Sequence, residues 1–170
     1  MQQQNGNSGA AAAAFWRFSL ALYARPGVAE ALIALQDRAG RNVNLILLAL
    51  WLGTRGKALD SAILAGAAAA IAPLEAGIIL PLRRLRRQLK GARDGDIEAL
   101  RRRVAGLEIA AERAAQRRLV AILGSEAAGP SQADPLAAAM ANLARYLGEA
   151  AGAAEAGVLS RALAGLMRHG

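Results

Sequence analysis

The sequence predicts an all-α fold, a helical bundle of about six or seven helices. Three observations carry that prediction. The 170 residues include 44 alanines, and alanine is the strongest helix former and is depleted from strands. Hydrophobic residues make up 55% of the chain but aromatics only 4%, so the core is built mainly from small aliphatic side chains. Apolar residues recur at steps of three and four, and no stretch shows the period of two that a half-buried strand requires.

Residues 1–9, MQQQNGNSG, lack any large apolar side chain beyond Met1, so a disordered lead-in is expected over 1–11. No basic region precedes the alanines at 10–14, which makes a poor secretory signal and points to a cytoplasmic protein. A first helix is expected from about Ala12 to Ala24. Phe15, Phe18 and Leu22 share one face and Trp16, Leu20 and Tyr23 the next, which marks a central element. Arg25-Pro26-Gly27 stops it. Pro26 opens a second helix carrying Val28, Leu32 and Leu35, and Gly40 is placed to close it. Asn42 caps a third helix, apolar from Val43 to Leu52 except at Asn44. Ten helical residues rise about 15 Å, half a hydrocarbon layer, so this is a core helix rather than a span.

Residues 61–82 are long enough to cross a bilayer. They contain Glu75, Pro73, Pro81 and many alanines, which argues for a small-residue helix in a soluble bundle, kinked at the prolines. After Leu82 the pattern changes, with Leu82, Leu85 and Leu89 forming one stripe. Asp96 is a candidate cap for a helix over 97–123, whose apolar positions 97, 100, 104, 107, 111 and 114 make a coiled-coil-like seam. The bundle domain therefore spans 12–123. GSEAAGPSQA (124–133) reads as a linker. Asp134-Pro135 opens an alanine-rich helical hairpin over 134–170, expected either to dock on the bundle or to bind a partner.

The net charge of +8 is regional: residues 83–118 carry twelve basic and five acidic groups, while the segments on either side nearly balance. Arg83, Arg86, Arg87 and Lys90 fall at i, i+3, i+4 and i+7 on one helix face, and Arg93, Arg101, Arg102 and Arg103 extend the patch. The leading expectation is a non-enzymatic adaptor or regulatory protein that binds an acidic protein partner through this surface. Nucleic acid is an alternative partner, held nonspecifically through phosphates, since no aromatic lies between 52 and 145 to stack bases. The seam at 97–114 offers a route to homo-oligomers.

A third reading places a small-molecule pocket among the aromatic N-terminal helices, lined by Trp16, Tyr23, Gln36, Asp37, Asn42, Asn44, Trp51 and Glu75. The same polar residues also serve helix capping, Gln36 and Asp37 at the end of one helix and Asn42 at the start of the next. Glu75 stands out as an acid in apolar surroundings. Catalytic constellations are thin. The chain has no cysteine, and His169 is its single histidine, so thiolate chemistry, a metal centre and a histidine relay are not expected. Glu108 and Glu112, one helical turn apart, read as a solvated pair. No cofactor motif is present.

Phe15-Trp16, Phe18-Ser19-Leu20, Leu22-Tyr23, Pro26-Gly27-Val28, Leu35-Gln36-Asp37, Gly40, Asn42-Val43-Asn44-Leu45 and Leu50-Trp51-Leu52 form a pattern that resembles a bacterial family of small, uncharacterised helical proteins. The likeness continues more loosely to about residue 123 and does not clearly reach 134–170. It implies a helical protein, and it assigns no activity, cofactor or catalytic residue.

Overall fold

The computed structural model describes residues 2–91, 94–123, 134–148 and 152–168, with side chains from residue 8 onward. All regular structure among them is helical. Helix α1 spans Gln2–Tyr23, α2 Val28–Ala39 and α3 Val43–Thr54. Helix α4 runs without a break over Ser61–Gln88. Helix α5 spans Gly95–Leu123, α6 Pro135–Leu147 and α7 Ala153–Met167. The expected all-α bundle is what forms.

Local chemistry explains the boundaries. Helix α2 turns 101° from α1 at Arg25-Pro26-Gly27. It ends at Gly40, whose φ of 61° lets its N–H donate back to the Leu35 carbonyl, a conformation that costs a residue without Cβ little. Asn42 Oδ1 accepts the Asn44 and Leu45 N–H groups and starts α3. Asp60 Oδ1 accepts the Ile63 N–H for α4, and Asp134 accepts the Leu136 N–H for α6. Before α5 the cap is Asp94, which accepts the Asp96 and Ile97 N–H groups, rather than the expected Asp96.

Helix α3, not α1, lies at the centre. Every residue from Asn44 to Gly53 is buried, with α6 its most extensive neighbour and α1, α2, α4 and α5 around it. Phe15 of α1 packs on Trp51 with ring centroids 5.0 Å apart. Helix α1 buries Ala12, Phe15, Ser19 and Leu22 and leaves its second aromatic face turned outward. It also begins at Gln2, well upstream of the expected start near Ala12, because the alanine run carries helical propensity backwards.

Helix α4 absorbs its two prolines without breaking. Residues Glu75–Ile79 form a π turn between Pro73 and Pro81. Its buried positions step from Ala67 to Ile71 to Leu74 and then to Ile79. That last step of five residues is what one widened turn supplies, and it keeps the inward face pointing inward. By length and composition this helix is long and apolar enough to cross a membrane.

The buried face of α5 differs from the expected seam. Leu100 and Leu107 are 45% and 59% exposed, while Val104, Glu108, Ala111, Ala115, Gln116 and Leu119 face inward. Position 108 is taken by a carboxylate and 116 by an amide. A search for apolar periodicity therefore passes over the face that packs.

The proposed linker 124–133 lies outside the described residues. The hairpin beyond it docks, α6 on α3 and α7 on α2. Asn142 carries much of this junction: its Nδ2 donates to the Ala49 and Lys57 carbonyls and its Oδ1 accepts the Leu59 N–H. Helices α3 and α6 touch at Gly53, where an added Cβ would collide with the Ala139 backbone. Gly53→Ala should therefore force the two helices apart and destabilise the fold by about 1–3 kcal/mol or more, read as a lower urea midpoint.

Candidate functional site

The expected outward basic wall is largely folded back onto the protein's own acids. Glu108, Glu112 and Gln116 stand at i, i+4 and i+8 on α5, in a column along its inward face. Arg83, in the second half of α4, donates from Nε to Glu108 Oε1 at 3.1 Å and from Nη2 to Glu112 Oε1 at 2.7 Å. Arg86 holds the same Glu108 through Nε at 2.6 Å and Nη2 at 3.3 Å. Such forked, charge-assisted bonds fix geometry as well as energy. The Arg83 and Glu108 side chains are only 11% and 12% exposed, so these acids are not the solvated pair that their spacing suggested.

The network continues inward. Asn44 Nδ2 donates to Glu112 Oε2. Gln116 Nε2 donates to Asn44 Oδ1 at 3.2 Å, and Ser19 Oγ lies 3.2 Å from Gln116 Oε1. Five side chains of α1, α3, α4 and α5, with Glu108 and Arg86 beyond them, thus form one connected polar chain through an apolar bundle.

Beside this chain opens a cleft of about 640 Å³, within the range of small-molecule sites. Helix α1 supplies Trp16, Ser19, Leu20 and Tyr23 to its wall, and α2 supplies Ile33, Gln36 and Asp37. Val43, Asn44 and Leu47 come from α3. The opposite side is Arg83, Arg86 and Arg87 of α4, with Lys90 just beyond it, and the α5 face from Arg101 through Glu108, Ile109 and Glu112 to Gln116.

Two sets of sequence candidates therefore meet in one place. Trp16, Tyr23, Gln36, Asp37 and Asn44 from the pocket reading line the cleft with Arg83, Arg86, Arg87, Lys90 and Arg101 from the basic reading. Three pocket candidates do not join them. Asn42 caps α3 and donates its own N–H to the Tyr146 hydroxyl at 2.9 Å. Trp51 is buried against Phe15. Glu75 sits in the π turn, away from the lining, with Oε2 buried and bonded to no described residue. Gln36 and Asp37 do not cap α2, which Gly40 closes; Asp37 instead pairs with Arg87 at 3.1 Å.

Of the remaining basic residues, Arg101 is held by Glu98 at 2.7 Å. Arg102 reaches the same acid at 3.8 Å and stays mostly in water, as does Arg103. Arg93 lies outside the described residues. Ser19, Glu108, Glu112 and Gln116 were missed as site residues. The last three leave one trace in the sequence, the 108-112-116 column, visible only to a reader who allows polar residues on a buried face.

Electrostatics divide the two acids. Burial pushes the Glu108 carboxyl up, but the hydrogen bonds and charges of Arg86 and Arg83 outweigh it and hold the group below the usual carboxylate range. Burial pushes Glu112 up, and the bond from Asn44 and the charge of Arg83 do not fully offset that, with Glu75 and Glu108 adding to the rise. Burial also raises the Tyr23 phenol, against the Arg83 charge, so it stays protonated at neutral pH. Both acids are already engaged by hydrogen bonds, and Ser19 has only a neutral amide beside it. Among the described residues no group of three His, Cys, Asp or Glu side chains gathers to hold a metal.

Residues 14–119 match the family model described as "Protein of unknown function (DUF2390)", and the chain belongs to that family. No curated protein and no solved structure matches it. The matched span contains every residue of the cleft and ends before α6.

Glu108 links this network to pH. Because its folded value lies below its unfolded one, the stability it contributes is present above the ordinary carboxylate range and is lost as pH falls through the folded value. Glu108→Gln should cost about 2–4 kcal/mol at neutral pH, since it leaves the buried Arg83 and the partly exposed Arg86 short of their counter-charge. The loss of stability on acidification should also be shallower than in the parent, as urea unfolding at neutral pH and at about pH 4 would report.

Proposed function

We propose that the cleft binds a small anionic molecule and that the protein acts as a non-enzymatic binding protein. The observation that supports this most is a surplus of positive charge in a confined space. Five cations (Arg83, Arg86, Arg87, Lys90 and Arg101) line the cleft against three carboxylates (Asp37, Glu108 and Glu112). The least exposed of the arginines, Arg83, keeps its Nη1 buried with no acceptor among the described residues. An anion entering the cleft meets guanidinium groups already oriented by their bonds to Glu108, with the Arg83 Nη1 still lacking an acceptor among the described residues, so little ordering remains to oppose binding.

Support for an acidic protein or a nucleic acid as the partner is thinner. Arg83 and Arg86 are engaged with internal acids, and of the exposed cations Arg87 and Lys90 border the cleft, which leaves Arg102 and Arg103 of the patch, with neighbouring Arg84, exposed outside it. The two readings separate by mutation. Arg86→Gln with Lys90→Gln should weaken binding of carboxylate and phosphate compounds about 10–100-fold in calorimetric titration, while Arg102→Glu with Arg103→Glu leaves it unchanged. The reverse pattern, with no small anion bound and with RNA or acidic-protein capture lost in the second variant, would return the function to the outer surface.

A further inference from the structure

The cleft has two chemically distinct walls, and the apolar one has no use for a purely polar ligand. Four of the eleven large hydrophobic side chains exposed among the described residues border this one cavity: Leu20 at 53%, Tyr23 at 39%, Ile33 at 47% and Ile109 at 57%. Trp16 joins them. Helices α1 and α2 carry most of this apolar side, whereas four of the five cations come from the end of α4 and its exit at Lys90. Exposed apolar side chains gathered at a charged cavity mark a ligand groove more often than chance surface.

We propose that the occupant is a free single-chain anionic amphiphile, an acyl or alkyl chain ending in a carboxylate or phosphate. This rests on the anion-binding reading of the same cleft and narrows it. The head would lie against Arg86 and Lys90. Arg86 has its Nε/Nη2 edge bound to Glu108, which fixes the guanidinium and leaves only its remaining Nη hydrogens to donate, and Lys90 has no ion-pair partner among the described residues. The chain would lie along Trp16, Leu20 and Ile33, withdrawing them from water. A compact polyanion would satisfy the cations yet leave that wall wet, and a neutral hydrocarbon would do the opposite. With Arg101 answered by Glu98 just outside the lining, the cleft keeps an excess of one positive charge, which matches a singly charged head group. A helix of a partner protein is a poorer fit, because the cavity volume is that of a small molecule.

The test is calorimetric titration of the full chain with hexanoate, octanoate and decanoate, with decyl phosphate, decanol and decyltrimethylammonium at the same chain length, and with inorganic phosphate and citrate. Affinity should rise about threefold to fourfold per methylene, with decanoate and decyl phosphate well ahead of decanol and the cation not binding. Leu20→Ser with Ile33→Ser alters two side chains that are half in water, so the helices should persist by circular dichroism. That variant should lose decanoate affinity about tenfold or more while binding of any short anion is unchanged. If citrate or phosphate binds and chain length has no effect, the amphiphile is refuted while the anion cleft stands. If no anion binds, both fall. Equal binding of decanol would refute the head-group assignment. Tighter binding to phosphatidylglycerol vesicles than to free decanoate would refute a free occupant in favour of a membrane surface.

Discussion

A carboxylate shared between two arginines sets the geometry of this protein. Glu108 takes Nε and a terminal nitrogen from Arg86 and Nε from Arg83, and Arg83 passes on to Glu112. Burying these charges is costly in isolation, and the cost is met only while each has its partners in place. The second half of α4 is thereby fixed against the middle of α5, and Asn44 ties α5 to the central helix through Glu112 and Gln116. No apolar contact would specify that arrangement so narrowly: leucines slide past one another, whereas a forked guanidinium has one good seat.

This arrangement also explains why the basic segment misleads when considered alone. Twelve basic residues in 83–118 look like an outward surface. Arg83 and Arg86 belong instead to a buried circuit, Arg87 and Arg101 are paired at its margin, and Arg102 and Arg103 remain as solvent-facing charge. Charge on a helix does not report which way the helix faces. That depends on the register of α4, and the π turn between its prolines resets that register midway.

The helices themselves were legible because they rest on local chemistry. Alanine content, the Pro135 start, the Asn42 and Asp134 caps and the Gly40 stop all act within a few residues of where they are read, whereas Pro26 lies in the turn before α2, which starts at Val28 behind Gly27. The seam on α5 was not, since the true inward face carries Glu108 and Gln116 and apolar periodicity cannot register them. The site was half legible. Trp16, Tyr23, Gln36, Asp37 and Asn44 stood out as polar groups beside aromatics, but their meeting with Arg83 and Arg86 depends on long-range packing. Asn42 and Trp51 share their neighbourhood in sequence and face elsewhere, one to a cap and the other to the core.

The contact between Gly53 and Ala139 has a wider consequence. Helix α6 lies beyond the span shared with the family, yet it presses backbone to backbone on the most deeply buried helix of that span. Asn142 closes polar groups of the α3–α4 connection that would otherwise face hydrocarbon. The part that defines membership and the part that completes the interior are therefore different stretches of chain. Relatives that diverge after α5 would each need their own lid for the same greasy rod, and the shape of that lid is free to drift so long as something small enough to sit on a glycine is there.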